Sequence, residues 1–153
     1  MEKNRKKPNP QDLQRVGENL KTELLNQIKK DGDLICKQLG LQNVHPEIRQ
    51  VMGSLRFRYS YTQNQYFHCA EVGWFAGLLS SALGNDTRND TRNDTKKSRR
   101  AGMLHDLGKA LDHELDGSHA VIGADFISTR NELEDIIYAV RAHHHDVPPT
   151  NDM

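Results

Sequence analysis

Long apolar runs are missing from this chain. No stretch approaches the roughly 18 residues that a membrane-spanning helix needs. The opening MEKNRKKPNP is basic but leads into no apolar segment, so neither a transmembrane helix nor a secretory signal is read there. Cysteine is scarce as well. Cys36 and Cys69 stand apart, with no disulfide framework and no CxxC zinc pattern, as suits a reducing compartment. Neither sign of charge prevails: 21 basic residues face 21 acidic ones, so net charge names no partner and only local clusters can. Convincing apolar–polar alternation is absent too, which argues against an all-β fold. With 153 residues the chain can bury a real core, and the expectation is a cytoplasmic protein of one domain, or one domain plus a tail.

What is present is helical periodicity. Val16, Leu20, Leu24, Leu25 and Ile28 recur at spacings of three and four, predicting an amphipathic helix over 11–31 that ends at Asp31-Gly32. Its narrow apolar face fits a domain edge or a coiled coil, so residues 1–31 read as a basic tail and linker helix. A short helix over 33–39 should follow, then one over 46–56 with Pro46 in its first turn and Ile48, Met52 and Leu55 inward. His45 reads as its cap. The strongest pattern spans 62–83, where Phe67, Val72, Phe75, Ala76, Leu78 and Leu79 mark the expected buried stripe and Trp74 widens it. His68 falls on or near that stripe. The segment NDTRNDTRNDTKK, within 85–97, has no apolar residue and reads as a polar, solvated repeat loop. Helices resume near 96–106, after Ser118, and over 132–143, where Pro148-Pro149 prevents continuation. The fold class is all-α, a compact array of about five to seven helices.

The chemistry concentrates in MLHDLGKALDHELDGSH, residues 103–119, which holds three histidines and four acids. The dipeptide His-Asp is weak evidence by itself, since a chain with eight histidines produces it by chance, and it occurs again at His145-Asp146. Arrangement strengthens it. His68 sits on a helical stripe, His105-Asp106 at the end of an apolar helix, His119 at the start of another and His143 at the end of a fourth. Mixed imidazole and carboxylate sets suit borderline-to-hard divalent metals. A carboxylate between ligands can bridge two ions, and two ions together activate water and clamp a phosphoryl oxygen. Lys109 would help to balance phosphate charge. Taken singly, His68 reads as a hydrogen-bonded core histidine and His113 as a surface one. The joint set of His68, His105, Asp106, His119 and His143 reads as a metal site.

This pattern resembles the HD superfamily of metal-dependent phosphohydrolases, named for its His-Asp pair. LRFRYSYTQNQYFHCAEVGWFAGLLSSALG, RRAGMLHDLGKALDHELDGSHAVIGA and AHHHD together resemble the HD domain of the ribonuclease Y family, over roughly residues 12–150. The resemblance implies metal roles for His68, His105 and Asp106, with Asp106 as the bridging carboxylate. His119 and His143 match the further histidines of the two-metal branch, with His144 as an additional candidate. It implies divalent metal, of identity open among Mn, Mg, Zn, Fe and Ni, and hydrolysis of phosphodiester bonds in single-stranded RNA, in the manner of an endoribonuclease of messenger RNA decay. Asp106 and Lys109 are then the catalytic residues. Arg56, Arg58, Lys97, Arg99 and Arg100 are the candidate RNA and phosphate contacts, and the N-terminal helix offers a homodimer contact.

Departures accompany the likeness. Ribonuclease Y carries a membrane anchor, a long coiled coil and a KH domain that find no match in this sequence. The superfamily motif closes with an aspartate on a later helix, whereas the sequence stops at Met153. Residues 32–153 therefore read as a partial, C-terminally truncated HD domain, with weak or no nuclease activity expected of it alone. Two rival readings stand beside RNA cleavage: an HD hydrolase of nucleotides or small phosphate esters, and a non-catalytic metal-binding or interaction domain.

Overall fold

The computed structural model describes residues 9–83, 91–112, 117–145 and 147–148, and for 91–94 the backbone alone. Six α-helices run through them: α1 (Pro10–Gln38), α2 (Pro46–Ser54), α3 (Gln65–Ala82), α4 (Thr91–Leu104), α5 (His119–Ser128) and α6 (Glu134–Ala142). Short 3₁₀ turns lie at Leu55–Phe57 and Leu107–Ala110. A hairpin of two-residue strands, β1 (Tyr59–Ser60) and β2 (Gln63–Asn64), is the one piece of sheet among the described residues. The all-α reading therefore holds.

Local chemistry sets the helix starts. Asn9 accepts a hydrogen bond from the Gln11 N–H at 3.2 Å, with Pro10 at the first helical position. His45 caps α2 as expected, its Nδ1 accepting from the Glu47 N–H at 3.2 Å. Asn64 caps α3 by accepting from the N–H groups of Tyr66 and Phe67.

Three expectations need correction. The first helix does not break at Asp31-Gly32; α1 runs through to Gln38. Gly32 is there for contact rather than termination. A Cβ on it would collide with the Arg49 carbonyl of α2, and a Cβ on Gly53 would collide with the Ile28 carbonyl of α1. The two helices cross backbone to backbone at this glycine pair. The real stop is Gly40, at φ 68°, the left-handed conformation that ends helices.

In α3 the buried stripe is not the large apolar one. Cys69, Gly73, Gly77 and Ser80 face inward, while Phe67, Trp74, Phe75, Leu78 and Leu79 are exposed. The helix is apolar nearly all round, so periodicity could not choose a face. Close approach of α4 chose the small residues: Cβ atoms at Gly73 and Gly102 would each lie 2.9 Å from a carbonyl of the opposite helix.

The polar repeat is helical from Thr91 onward, where a loop through 97 was expected, because a lack of apolar residues argues against a core-facing stripe and not against a helix. The first part of the repeat, with Arg88, lies outside the described residues. So do His113 and Asp146.

The core joins Ile35, Ile48, Met52, Leu55, Met103, Leu107 and Ile136, drawn from α1, α2, α4, α6 and both 3₁₀ turns. The first two-thirds of α1 stands apart from it, with Leu13, Val16, Leu20 and Leu24 exposed. No helix among the described residues is long and apolar enough to cross a membrane.

Candidate metal centre

Four segments deliver their side chains to one point. His68 lies in the first turn of α3. His105 and Asp106 follow directly on α4, held in place by fully buried Met103 and Leu104 before them and Leu107 after them. His119 opens α5, with Ser118 at the cap position. His143 is the C-cap of α6. Gly108 lets α5 seat against the turn, since a Cβ there would collide with the His119 carbonyl.

Asp106 is the hub. Its Oδ2 lies 3.1 Å from His105 Nε2, 3.4 Å from His68 Nε2 and 2.7 Å from Lys109 Nζ. Its Oδ1 lies 3.1 Å from His119 Nε2 and 3.7 Å from His143 Nε2. His144 extends the set, its Nε2 standing 3.0 Å from His119 Nε2. Two donor groups result, His68–His105–Asp106 and Asp106–His119–His143–His144, each with its ligand atoms within 4.8 Å of one another. They share Asp106.

The tautomers are set by the backbone. His105 Nδ1 faces the Gly102 carbonyl at 2.8 Å and His143 Nδ1 faces the Val140 carbonyl at 2.7 Å. A nitrogen in that position donates its N–H, so in the neutral ring the lone pair sits on Nε2, aimed at the Asp106 carboxylate. Lone pair against anion is repulsive unless a cation lies between them. Asp106 Oδ1 and His143 Nε2 are buried without a well-directed hydrogen bond. Donor separations of 3.0–3.7 Å match the edges of a coordination polyhedron whose ligands lie about 2.0–2.1 Å from a divalent ion. On these grounds the residues present fit a metal.

The electrostatics agree. Burial alone would raise the Asp106 carboxyl, but positive charge at the imidazoles of His105 and His143, where a proton or a metal ion can sit, and at the Lys109 ammonium outweighs it and holds the carboxyl far below the usual carboxylate range. Burial lowers His68 and His119 below the ordinary histidine value, and His105 pushes His68 the same way. Both effects favour the neutral, ligating form.

One residue here escaped the sequence reading. Gln65 is 1% exposed; its Oε1 accepts from Lys109 Nζ at 3.1 Å, and its amide donates to the Ser60 and Gln63 carbonyls at 3.4 and 3.3 Å. The available signal was its position one turn before His68, on the same helical face.

The five candidate phosphate contacts disperse. Arg56 lies over the Phe67 ring at 4.4 Å, and Arg58 pairs with Asp112 at 3.0 Å, both beside the hairpin. Arg99 lies over Trp74 at 5.1 Å. Lys97 pairs with Asp135 at 3.1 Å. Arg100 binds buried Glu132 at 2.8 Å and the carbonyls of Gln42 and Asn43, which makes it a structural clamp.

Comparison with known proteins follows the same line. The HD domain model matches residues 66–152. Ribonuclease Y 2 of Bdellovibrio bacteriovorus is 54% identical over 98% of this chain and 27% of its own length. Ribonuclease Y of Geobacter metallireducens is 41% identical over 92% of this chain and 25% of its own. The ribonuclease Y of Geobacter sulfurreducens is 40% identical over 93% and 26%. This chain thus spans about a quarter of the length of the curated relatives it matches. No solved structure matches it significantly.

Proposed function

The chain belongs to the HD domain family, and from that premise we propose that it is a metal-dependent phosphodiesterase acting on single-stranded RNA. The observation that carries the reading is the pair of donor groups sharing Asp106. His68, His105, Asp106, His119 and His143 are the ligands, with His144 as a further ligand of the second group. An imidazole-rich set favours a transition ion over magnesium. Such ions, when bound, activate water and polarise a phosphoryl oxygen.

The chain's own groups do the rest. Asp106 remains ionised across the working pH range and balances the charge of the site. Lys109, held by Asp106 and Gln65, presents an ammonium where phosphate charge must be met. The N–H bonds from His105 and His143 to backbone carbonyls fix ring orientation before substrate arrives. RNA as the substrate is supported by the names of the relatives and by the match across nearly the whole chain. A homodimer through α1 is supported by its exposed apolar stripe.

The test is metal analysis of the purified chain, paired with cleavage of a labelled single-stranded RNA and of free nucleotides. Transition metal bound by wild type and lost in Asp106→Ala, with RNA cleavage that is weak at most and lost in the same variant, is the expected result. Equal metal content in wild type and Asp106→Ala overturns this site, and cleavage of nucleotides alone overturns the RNA assignment.

A further inference from the structure

The hairpin next to the metal centre has an unusual composition. Residues 57–61 alternate in exposure: Phe57, Tyr59 and Tyr61 are 56, 67 and 95% exposed, while Arg58 and Ser60 between them are half-buried. Three aromatic side chains at a spacing of two thus form an exposed row along the chain, Phe57 at the end of a 3₁₀ turn, Tyr59 in β1 and Tyr61 in the hairpin turn. The turn that presents the last of them is strained. Tyr61 and Thr62 both have positive φ, 48° and 68°, where tight hairpins usually place glycine or asparagine. A β-branched residue in that conformation is costly, and such cost is retained where the surroundings hold it for a purpose.

The hairpin is linked to the candidate centre through Gln65. Gln65 holds the carbonyls of Ser60 and Gln63 with its amide and Lys109 with its oxygen, and Lys109 pairs with Asp106 at 2.7 Å. Arg58 ties the strand to Asp112, just beyond the 3₁₀ turn that carries Lys109. Asn64 donates to the Arg56 carbonyl at 2.8 Å. The row is thus tied to the Asp106 centre by part-buried hydrogen bonds, with guanidinium groups of Arg56 and Arg58 alongside.

We infer that Phe57, Tyr59 and Tyr61 form a stacking platform for unpaired bases of the strand whose phosphodiester lies at the Asp106 centre. The inference rests on the phosphodiesterase reading above. Aromatic faces held in water beside cations suit bases that are free to unstack from their neighbours, whereas bases in a duplex are already stacked and paired. Tyr59, Tyr61 and Phe57 act as substrate-positioning residues, selecting single strands without reading sequence.

The experiment measures binding by fluorescence anisotropy in chelator, so that nothing is cleaved. The full chain is titrated into a fluorescein-labelled single-stranded oligoribonucleotide, an abasic strand of equal length and a duplex. Tyr59→Ala and Tyr61→Ala should each weaken single-strand binding about tenfold. Tyr59→Phe and Tyr61→Phe should restore it, since stacking needs the ring and not the hydroxyl. The abasic strand should bind wild type and variants alike. Single-strand affinity unchanged in both alanine variants overturns the platform, as does an equal loss for the abasic strand. Loss of self-association with RNA binding intact also overturns it, by assigning the row to a second copy. Hydrolysis of bis(p-nitrophenyl) phosphate by metal-loaded wild type tests the phosphodiesterase reading on its own, so either idea can fail without the other.

Discussion

A carboxylate surrounded by imidazole nitrogens is at ease only with a positive charge among them. In Asp106 that charge comes from Lys109 on one oxygen, while the other faces His119 and His143. Asp106→Asn keeps the shape and removes the anion. It should lower metal affinity by at least the roughly 10- to 100-fold that loss of an outer-shell partner costs, read by equilibrium dialysis against a transition metal. Acid should do the same reversibly. His68 and His119 both have folded pKa values below 6.5, so both are neutral at pH 7 and protons compete with metal only on the acid side of that value. Metal content between pH 8 and pH 5 should stay level to about 6.5 and then fall. A fall that begins above pH 7 contradicts this assignment. At this scale the sequence was informative, because histidines at helix ends are conspicuous by type and place. Gln65 was not, since an amide at the first turn of a helix is ordinary until Lys109 and the hairpin are seen on either side of it.

Helices were legible where one face is apolar and the other charged, as in α2, whose Ile48 and Met52 are fully buried as expected. They were not legible where glycine carries the packing. Periodicity records side chains, and Gly32 contributes the lack of one. Gly32→Ala and Gly53→Ala should therefore destabilise by about 1–3 kcal/mol or more, because the colliding atoms are backbone carbonyls that cannot swing aside. Gly17 is a control in the same helix. No atom lies within 4 Å of a Cβ placed there, so Gly17→Ala should stabilise by about 0.5–1 kcal/mol. Urea unfolding midpoints distinguish the two outcomes, and equal effects at positions 17 and 32 would refute a backbone crossing. The outer part of α1 supports a second prediction. Leu13, Val16, Leu20 and Leu24 recur every three to four residues and are 45–59% exposed, the spacing of a coiled-coil seam. Sedimentation should show a concentration-dependent dimer that Leu20→Gln with Leu24→Gln shifts to monomer. A monomer at every concentration would remove the dimer from the proposal.

At the scale of the molecule, the candidate centre is also a junction. Its residues come from α3, the end of α4, the start of α5 and the end of α6, elements distant in sequence that meet at Asp106. The all-α class could be read from spacing, and a joint site could be expected from the histidines at helix ends, but how the chain brings them together could not, because that depends on long-range packing of Met103, Leu107 and Ile136 and on the small-residue contact of α3 with α4. A ligand that binds only the folded arrangement stabilises it by mass action, by about 2.7 kcal/mol at 100 times its dissociation constant. For a chain of this length each kcal/mol raises the melting temperature by about 2–4 °C. A bound metal should therefore raise Tm by roughly 5–10 °C over the chelated protein under those conditions. The rise should vanish in Asp106→Asn, which breaks both donor groups at once. It should persist in part in His144→Ala, which removes one exposed ligand of one group. Thermal unfolding followed by circular dichroism, with metal and with chelator, separates these cases. An equal rise in wild type and Asp106→Asn would mean that the ion binds elsewhere, and that the convergence on Asp106 serves packing rather than metal.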